Sequence, residues 1–122
     1  MTRGGRDMAV SSSITVHRSG GALVVRLRGE VDVLLAQEAE RVAARVAAER
    51  LPVVLDLAGV ELLGATGLAL LTRCRDACED AGVGCSVRDV PESVARLLTV
   101  LGLDAVLPPV TSAQSAVAAR TG

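Results

Sequence analysis

The sequence predicts a single α/β domain with a mixed, mostly parallel sheet of four to five strands and about four helices. Its 122 residues suffice for one domain and not comfortably for two. Segments of strand-like and helix-like hydrophobic periodicity alternate in the order β-β-α-β-α-β-α-β-α. A short turn, Ser19-Gly20-Gly21, separates the first two strands, so the domain is expected to open with an antiparallel β-hairpin.

The first strand is predicted from Ile14 to Val16, and the second begins at Leu23 with alternating apolar and polar residues. Asp32 is in position to cap the following helix, which runs to about Arg50. The apolar stripe of that helix consists of Leu35, Ala39, Val42, Ala43 and Val46.

The run Val53–Leu57 is almost continuously apolar, as expected for a central strand that is covered on both faces. A loop is predicted to begin at Ala58, and a second helix follows Gly64–Gly67 and ends at Gly82. The predicted apolar face of this helix consists of Leu70, Leu71, Cys74, Ala77, Cys78 and Ala81.

Four further elements are predicted in the last third of the chain. Val83–Val87 alternates like a strand, and Asp89 with Glu92 forms a capping-box pattern for a short helix closed by Gly102. Ala105–Leu107 is predicted as a last short strand, and Thr111 with Gln114 is a second capping box that opens a final helix.

Composition excludes several classes of function. The chain has no aromatic residue, a formal net charge of −1 and only arginine among its 13 basic side chains. Stacking platforms for single-stranded nucleic acid, a broad basic surface and Schiff-base chemistry are therefore excluded. No apolar run is long enough for a membrane-spanning helix. Residues 1–13 lack the apolar core of a secretory signal and are interpreted as a disordered leader, so a cytoplasmic location is expected.

Residues that often carry chemistry are sparse. Cys74 and Cys78 share a helix face and Cys85 points inward from its strand, so core packing of reduced thiols is favoured over a metal site. His17 is the only histidine and has no partner for a triad or a metal centre. Asp56 and Glu61 are interpreted as a capping acid and a solvated acid. No metal, cofactor or catalytic activity is predicted.

The loop Gly64-Ala65-Thr66-Gly67 follows the central strand and opens a helix, where parallel α/β sheets place their sites. The free N–H groups and positive dipole of a helix N-terminus favour an anion, including a phosphate on a local hydroxyl such as that of Thr66. The alternative is that Thr66 caps the helix and the glycines only permit the turn.

Four segments of the chain, spread over roughly residues 14 to 120, carry a family resemblance through their residues and their order. They are Leu27–Asp32, Val54–Val60, Thr66–Leu71 and Pro91–Leu103. Together they resemble the STAS domain, the family of anti-sigma factor antagonists and of sulfate-transporter cytoplasmic domains. The resemblance implies a domain covering residues 14–120 and a partner that is an anti-sigma factor with a histidine-kinase-like ATPase fold.

In this family the loop usually reads Asp-Ser-Ser/Thr-Gly, and the first hydroxyl after the Asp is phosphorylated by the partner. Here the Asp aligns with Gly64 and the phosphoacceptor with Ala65, which cannot be phosphorylated. Three interpretations stay open: a permanently unphosphorylated antagonist, Thr66 as the new acceptor, or a structural loop that serves another partner. The expected partner surface is Gly64–Gly67 with the neighbouring segment Gly29, Glu30 and Asp32.

The resemblance favours a non-enzymatic module that regulates transcription by partner switching. The alternative function is an accessory subunit of a phospholipid-transport ABC system, docked on its ATPase. A homo-oligomer is also consistent with the sequence, because the edge strand at Ile14–Val16 can pair with another chain.

Overall fold

The computed structural model describes residues 12–110, which form one mixed four-stranded sheet with three α-helices. The strands lie in the order β1-β2-β3-β4, which is also their order in the chain. The elements are β1 (Ser13–Ser19), β2 (Ala22–Val31), a 3₁₀ turn (Val33–Leu35), α1 (Ala36–Glu49), β3 (Val53–Leu63), α2 (Ala65–Ala81), β4 (Cys85–Arg88), α3 (Glu92–Val100) and a second 3₁₀ turn (Leu103–Ala105). Of the predicted leader at residues 1–13, residues 1–11 lie outside the described residues, whereas Ser13 already belongs to β1. The predicted final helix that begins at Thr111 also lies outside them.

The opening hairpin is confirmed. β1 and β2 pair antiparallel, from Ser13 opposite Arg28 to Ser19 opposite Ala22. Gly20 and Gly21 join them with φ angles of 65° and 79°, both in the left-handed region. Two consecutive residues in that region form the tight turn whose twist matches paired strands, and glycine adopts it without strain.

The core is aliphatic throughout. β2, β3 and β4 run parallel, and residues from one face of the sheet, such as Leu23, Val25 and Leu55, are completely buried. The buried side chains of α1 and α2 belong to the same core cluster, including the predicted α1 residues Ala39, Val42, Ala43 and Val46 and the α2 residues Leu70, Leu71, Cys74 and Cys78. The sheet and the helices packed on it thus form a core without any aromatic side chain.

The central strand β3 is longer than the sequence predicts. It continues through Ala58 and Gly59 to Leu63, so the loop predicted to begin at Ala58 is wrong. Asp56 lies opposite Arg26, but Gly59 lies opposite Arg28, so β3 carries an extra residue here and another before Leu62. Such bulges break the alternation of buried and exposed residues that identifies a strand in a sequence.

Neither predicted side-chain cap forms. A 3₁₀ turn separates Asp32 from α1, which begins at Ala36, and the Asp32 carboxylate makes no capping hydrogen bond. Asp89 has a left-handed backbone, and α3 begins at Glu92 after Pro91 without a side-chain cap. Asp32 is extended but precedes the 3₁₀ turn and not α1, whereas Asp89 lacks the extended backbone that a capping residue needs.

The predicted last strand at Ala105–Leu107 is wrong. The 3₁₀ turn takes Ala105, and the sheet is extended later by a single parallel bridge between Val87 and Pro109. The Val87 N–H donates to the Pro108 carbonyl over 2.9 Å, and the Val110 N–H donates to the Val87 carbonyl over 2.9 Å. These two hydrogen bonds place the backbone of this segment along the outer edge of β4. The segment forms a single bridge and not a strand.

Candidate functional site

Two chain segments meet at the carboxyl ends of β2 and β3. The last pair of this parallel ladder is Val31 with Leu63, and the Gly64 N–H donates to the Val31 carbonyl over 3.0 Å. The structure therefore brings Gly29–Asp32 next to Gly64–Gly67, as the sequence predicts. In α/β folds this edge of the sheet is the usual location of binding sites.

Helix α2 begins directly in this loop. Gly64 occupies the N-cap position with an extended backbone, so the expectation that Thr66 might cap the helix is wrong. Gly67 is buried in the first turn, where a Cβ atom would overlap Leu63 Cδ1 and approach Val31 Cγ1 to 3.1 Å. The absence of a side chain at Gly67 thus lets the start of α2 lie directly on the ends of the two strands.

The carboxylate of Asp32 occupies the space beside Gly64. A Cβ atom on Gly64 would lie 2.5 Å from Asp32 Cγ and 2.6 Å from its Oδ1 atom. The loop therefore carries a carboxylate although its own sequence contains none. This carboxylate lies next to the N-terminus of α2, where the helix dipole favours negative charge.

The next two residues of the loop lie in different environments. Ala65 is exposed, whereas Thr66 is half-buried. Thr66 lines a groove of about 130 Å³ between α1 and α2, with Glu40 and Arg73 among the other lining residues. Arg73 Nη1 donates to Glu40 Oε2 over 2.8 Å. Of the two positions, the one occupied by alanine is the more exposed to solvent.

The segment before Asp32 is positioned by contacts with the start of the described chain. Gly29 has a φ of 73°, and a Cβ atom there would lie 2.6 Å from Ser12 Oγ. The same Ser12 hydroxyl accepts a hydrogen bond from the Glu30 N–H over 3.0 Å. Gly29 is therefore buried, and the side chains of Glu30 and Asp32 are the exposed ones in this segment.

An exposed apolar surface flanks both segments, and the sequence reasoning missed it. Val33 is 70% exposed, Leu34 is 93% exposed and Leu62 is 52% exposed. We call these three residues the apolar rim. The sequence does contain an indication of this surface, namely the three consecutive apolar residues Val33, Leu34 and Leu35. A single helical turn buries only one of three consecutive side chains, here Leu35, and leaves the other two exposed. Each of the three lies within two residues of Asp32 or Gly64 in the chain, and large exposed apolar side chains beside such a site are typical of a protein-binding surface.

Asp56 is a buried charge partner and not the capping acid that the sequence suggested. Its Oδ2 atom accepts hydrogen bonds from Arg26 Nε over 3.3 Å and from Arg88 Nη2 over 3.1 Å, and its Oδ1 atom accepts from the Ala58 N–H. Burial favours a higher pKa for this carboxyl, but the hydrogen bonds from Ala58, Arg88 and Arg26 outweigh it and hold the pKa below its ordinary value. Glu61 is exposed, as expected.

The other chemistry-bearing side chains are spread over the fold. His17 is exposed on β1, and Cys74, Cys78 and Cys85 are all buried free thiols, as predicted. Within residues 12–110, no group of three or more His, Cys, Asp or Glu side chains is arranged to hold a metal ion. No helix in this part of the chain is long and apolar enough to cross a membrane.

The family follows from comparison of the whole chain with known proteins. The model of the STAS domain matches residues 13–116. This chain belongs to the STAS family. The match covers the sheet and all three described helices, and it includes both segments of the candidate site.

Similar proteins in this family are anti-sigma factor antagonists. The chain is 26% identical over 108 residues to the anti-sigma-F factor antagonist RsfA of Mycobacterium tuberculosis, covering 86% of this chain and 84% of that protein. A crystal structure of an anti-sigma factor antagonist from Mycobacterium paratuberculosis is 28% identical, with a TM-score of 0.73 and coverage of 90% and 95%. The unphosphorylated antagonist SpoIIAA shares the fold at 14% identity, with a TM-score of 0.68 and coverage of 85% and 93%.

Proposed function

We propose that this STAS protein is a non-enzymatic regulator that acts as an anti-sigma factor antagonist in the bacterial cytoplasm. Family membership and the similarity to antagonists over more than four-fifths of the chain support this class. The partner is an anti-sigma factor with a histidine-kinase-like ATPase fold, and binding of the partner releases a sigma factor. The protein thus works by partner switching and needs neither a metal nor a cofactor.

The apolar rim beside the Gly64–Gly67 loop is the observation that carries this proposal. Its three side chains leave most of their apolar surface in water, which costs free energy in the isolated protein and is recovered when a partner covers them. The exposed carboxylates of Glu30 and Asp32 border the rim and favour a partner with basic groups opposite them. Exposed apolar side chains and negative charge therefore lie together at one end of the sheet, as a binding surface for a basic partner requires.

Phosphorylation at the position usual for this family, here residue 65, does not control binding in this protein. The exposed position, residue 65, has a methyl group in place of a hydroxyl, and the hydroxyl of Thr66 lies on the groove between α1 and α2. A phosphate at this surface would add negative charge beside Asp32 and weaken the complex by repulsion and desolvation. Without an acceptor at position 65, the protein stays competent to bind.

Binding to the kinase-like anti-sigma factors of the source organism, measured by titration calorimetry, tests the proposal. Leu34→Ser should lower the affinity at least tenfold, since a central apolar anchor contributes 2 kcal/mol or more, about thirtyfold, in a typical interface. Thr66→Glu should also weaken binding, because it adds a charge in the first turn of α2. Both substitutions replace surface residues, and an unchanged far-ultraviolet circular dichroism spectrum verifies the fold.

Val100→Ser is the matched control, because Val100 is 81% exposed but lies on α3. It should bind like the wild type. If Leu34→Ser and Thr66→Glu also bind like the wild type, this end of the sheet is not the interface. If no anti-sigma factor binds and an ABC ATPase does, the protein is a transport accessory subunit and the proposal is wrong.

A further inference from the structure

The first described residue of the chain, Ser12, is held against the candidate site. Its hydroxyl accepts a hydrogen bond from the Glu30 N–H over 3.0 Å, and Gly29 leaves the room that Ser12 occupies. The next residue, Ser13, lies opposite Arg28 in the first pair of the hairpin ladder. Residues 1–11, which we call the N-terminal segment, therefore join the described chain beside Glu30.

The apolar rim lies within reach of this segment. Leu62 is the register partner of Glu30 in the pairing of β2 with β3, so their backbones lie one strand spacing, about 4.8 Å, apart. The other two rim residues follow Glu30 by three and four positions in the chain. An extended chain spans about 3.3–3.6 Å per residue, so Met8, four residues before Ser12, can lie up to about 14 Å from it. The side chain of Met8 can therefore contact the rim.

The composition of the N-terminal segment complements the site. The segment contains the apolar run Met8–Val10, and its two arginines, Arg3 and Arg6, outnumber its single carboxylate. The site presents the exposed apolar rim and the exposed carboxylates of Glu30 and Asp32. Within residues 12–110, no ion pair joins either of these carboxylates to an arginine. The segment thus offers an apolar group and positive charge to a surface that carries an apolar group and negative charge.

We propose that the N-terminal segment docks on the apolar rim and competes with the anti-sigma factor partner for it. This inference rests on the proposed function, because it concerns regulation of the same surface. The contact lies within one chain, and a segment tethered by a few residues has an effective concentration in the millimolar range. Weak apolar and charge contacts therefore suffice to cover the rim.

The competition has a size that binding measurements can resolve. A partner must displace the segment, so its apparent affinity is reduced by the fraction of time for which the rim is uncovered. If the intrinsic Kd of the docked contact equals the effective concentration of the segment, the rim is covered for half of the time. The partner then binds about twofold more weakly than it binds an uncovered rim.

Methyl NMR spectra of the full-length protein test the docking without any partner. The test variant replaces the apolar and cationic side chains of the segment: Arg3→Gln, Arg6→Gln, Met8→Ser and Val10→Ser. The methyl resonances of Leu34 and Leu62 should shift in this variant, because both side chains lose a contact. The resonances of Val100 on α3 should stay in place. Unchanged resonances of Leu34 and Leu62, or equal shifts at Val100, would overturn the proposal.

Dilution of the wild-type protein separates this docking from self-association. Contact within one chain does not depend on concentration, so the resonances of Leu34 and Leu62 should not move on dilution. Rim resonances that move towards their positions in the variant would show that a second copy of the chain covers the rim, and the proposal would be wrong.

Titration calorimetry with the anti-sigma factor partner tests the competition. Met8→Ser combined with Val10→Ser in the full-length protein should tighten binding at least about twofold, because the segment no longer covers the rim. These uncharged substitutions leave the charges of the chain as they are. Val100→Ser is the control and should leave the affinity unchanged.

The two measurements distinguish this proposal from the proposed function. If the partner binds the wild type and the Met8→Ser/Val10→Ser variant equally, the segment does not compete, and the inference fails while the proposed function stands. If no anti-sigma factor binds the wild type, the proposed function and the competition fail together, whereas the methyl spectra alone decide the docking.

Discussion

At the scale of single residues, the site is determined by which side chains are missing. Gly64 leaves room for the Asp32 carboxylate, and Gly67 lets α2 approach Leu63 and Val31. Ala65 presents a methyl group at the exposed first position of the helix. The loop therefore has a carboxylate beside it but no hydroxyl at its exposed position.

Ala65→Ser should make the protein a substrate of its anti-sigma factor partner in the presence of ATP. The new hydroxyl would be exposed at a helix N-terminus, which stabilises a phosphate. The wild type should incorporate no phosphate, as read by intact mass and phosphopeptide mapping. Gly64→Asp is not needed, and it would force the Asp32 carboxylate to turn away from the space it fills.

The matched control for this prediction is Thr66→Val, which removes the second hydroxyl and nearly conserves the volume in the groove. Ala65→Ser combined with Thr66→Val should still be phosphorylated, and Thr66→Val alone should not. Phosphate on Thr66 of the wild type would contradict the prediction and would mean that the switch has moved by one residue.

At the scale of elements, helix ends show what a sequence pattern leaves undecided. Helix α1 ends close to Arg50, as the sequence predicts from Pro52, but its last turn is closed by Arg50 with a left-handed backbone at φ 55°. Such a residue is usually glycine, because a Cβ atom in this conformation meets the following carbonyl oxygen. The helix therefore ends with a residue that carries strain.

Arg50→Gly should raise the free energy of unfolding by about 1 kcal/mol, which is the usual cost of a left-handed conformation for a residue with a side chain. Arg50 is exposed, so its replacement removes no buried contact. Urea denaturation followed by far-ultraviolet circular dichroism measures the change, since the chain has no tryptophan for fluorescence. Arg50→Ala is the control, because it removes the same side chain but keeps a Cβ atom, which disfavours the left-handed conformation. It should not raise the free energy of unfolding.

The length of β3 is an element-scale property that the sequence did not reveal. Its two bulges place Ala58, Gly59 and Leu62 at exposed positions, so the apolar pattern stops while the strand continues. The same bulges bring Leu62 to the surface beside the candidate site. A pattern of period two cannot identify a strand whose register shifts, because each extra residue reverses the faces of those that follow.

At the scale of the whole molecule, a row of charges joins the three parallel strands. Arg26 of β2, Asp56 of β3 and Arg88 of β4 lie opposite each other in the register, and Asp56 accepts hydrogen bonds from both arginines. Asp56 is buried, whereas the Arg26 and Arg88 side chains are 44% and 38% exposed. Solvent therefore screens the two cations more than the carboxylate between them.

Asp56→Asn should lower the free energy of unfolding at pH 7 by about 1.5–3 kcal/mol, the range for hydrogen bonds to a charged group. The pKa of Asp56 is lowered in the folded protein, so its stabilising contribution is complete above the pKa of the unfolded chain, about 3.9. It is lost as the pH falls from there through the lower pKa of the folded state. The difference between variant and wild type should therefore shrink below pH 4.

Glu61→Gln is the control for this prediction, because Glu61 is an exposed carboxylate on the same strand. It should leave the urea midpoint unchanged between pH 3 and pH 7, to within roughly the small effect of a surface charge. A difference between Asp56→Asn and the wild type that stays constant down to pH 2 would show that the carboxylate's charge does not stabilise the fold.

Assembly into homo-oligomers stays a prediction. β1 is an edge strand of the sheet, and its Val16 carbonyl already accepts a hydrogen bond from Arg45 Nη1 over 3.3 Å. A side chain from α1 thus occupies part of the edge that a second chain would need.

The sequence by itself determined the fold class, the opening hairpin, the aliphatic core, the burial of the three cysteines and the family. These depend on local periodicity and on short motifs in a fixed order, which act over a few residues at a time. Tertiary structure alone decided that Asp32 fills the space beside Gly64, that the apolar rim is exposed and that Asp56 pairs with two arginines. Each of these contacts joins residues from different elements, so its distance is fixed by strand register and by turns, which hydrophobic patterning does not encode.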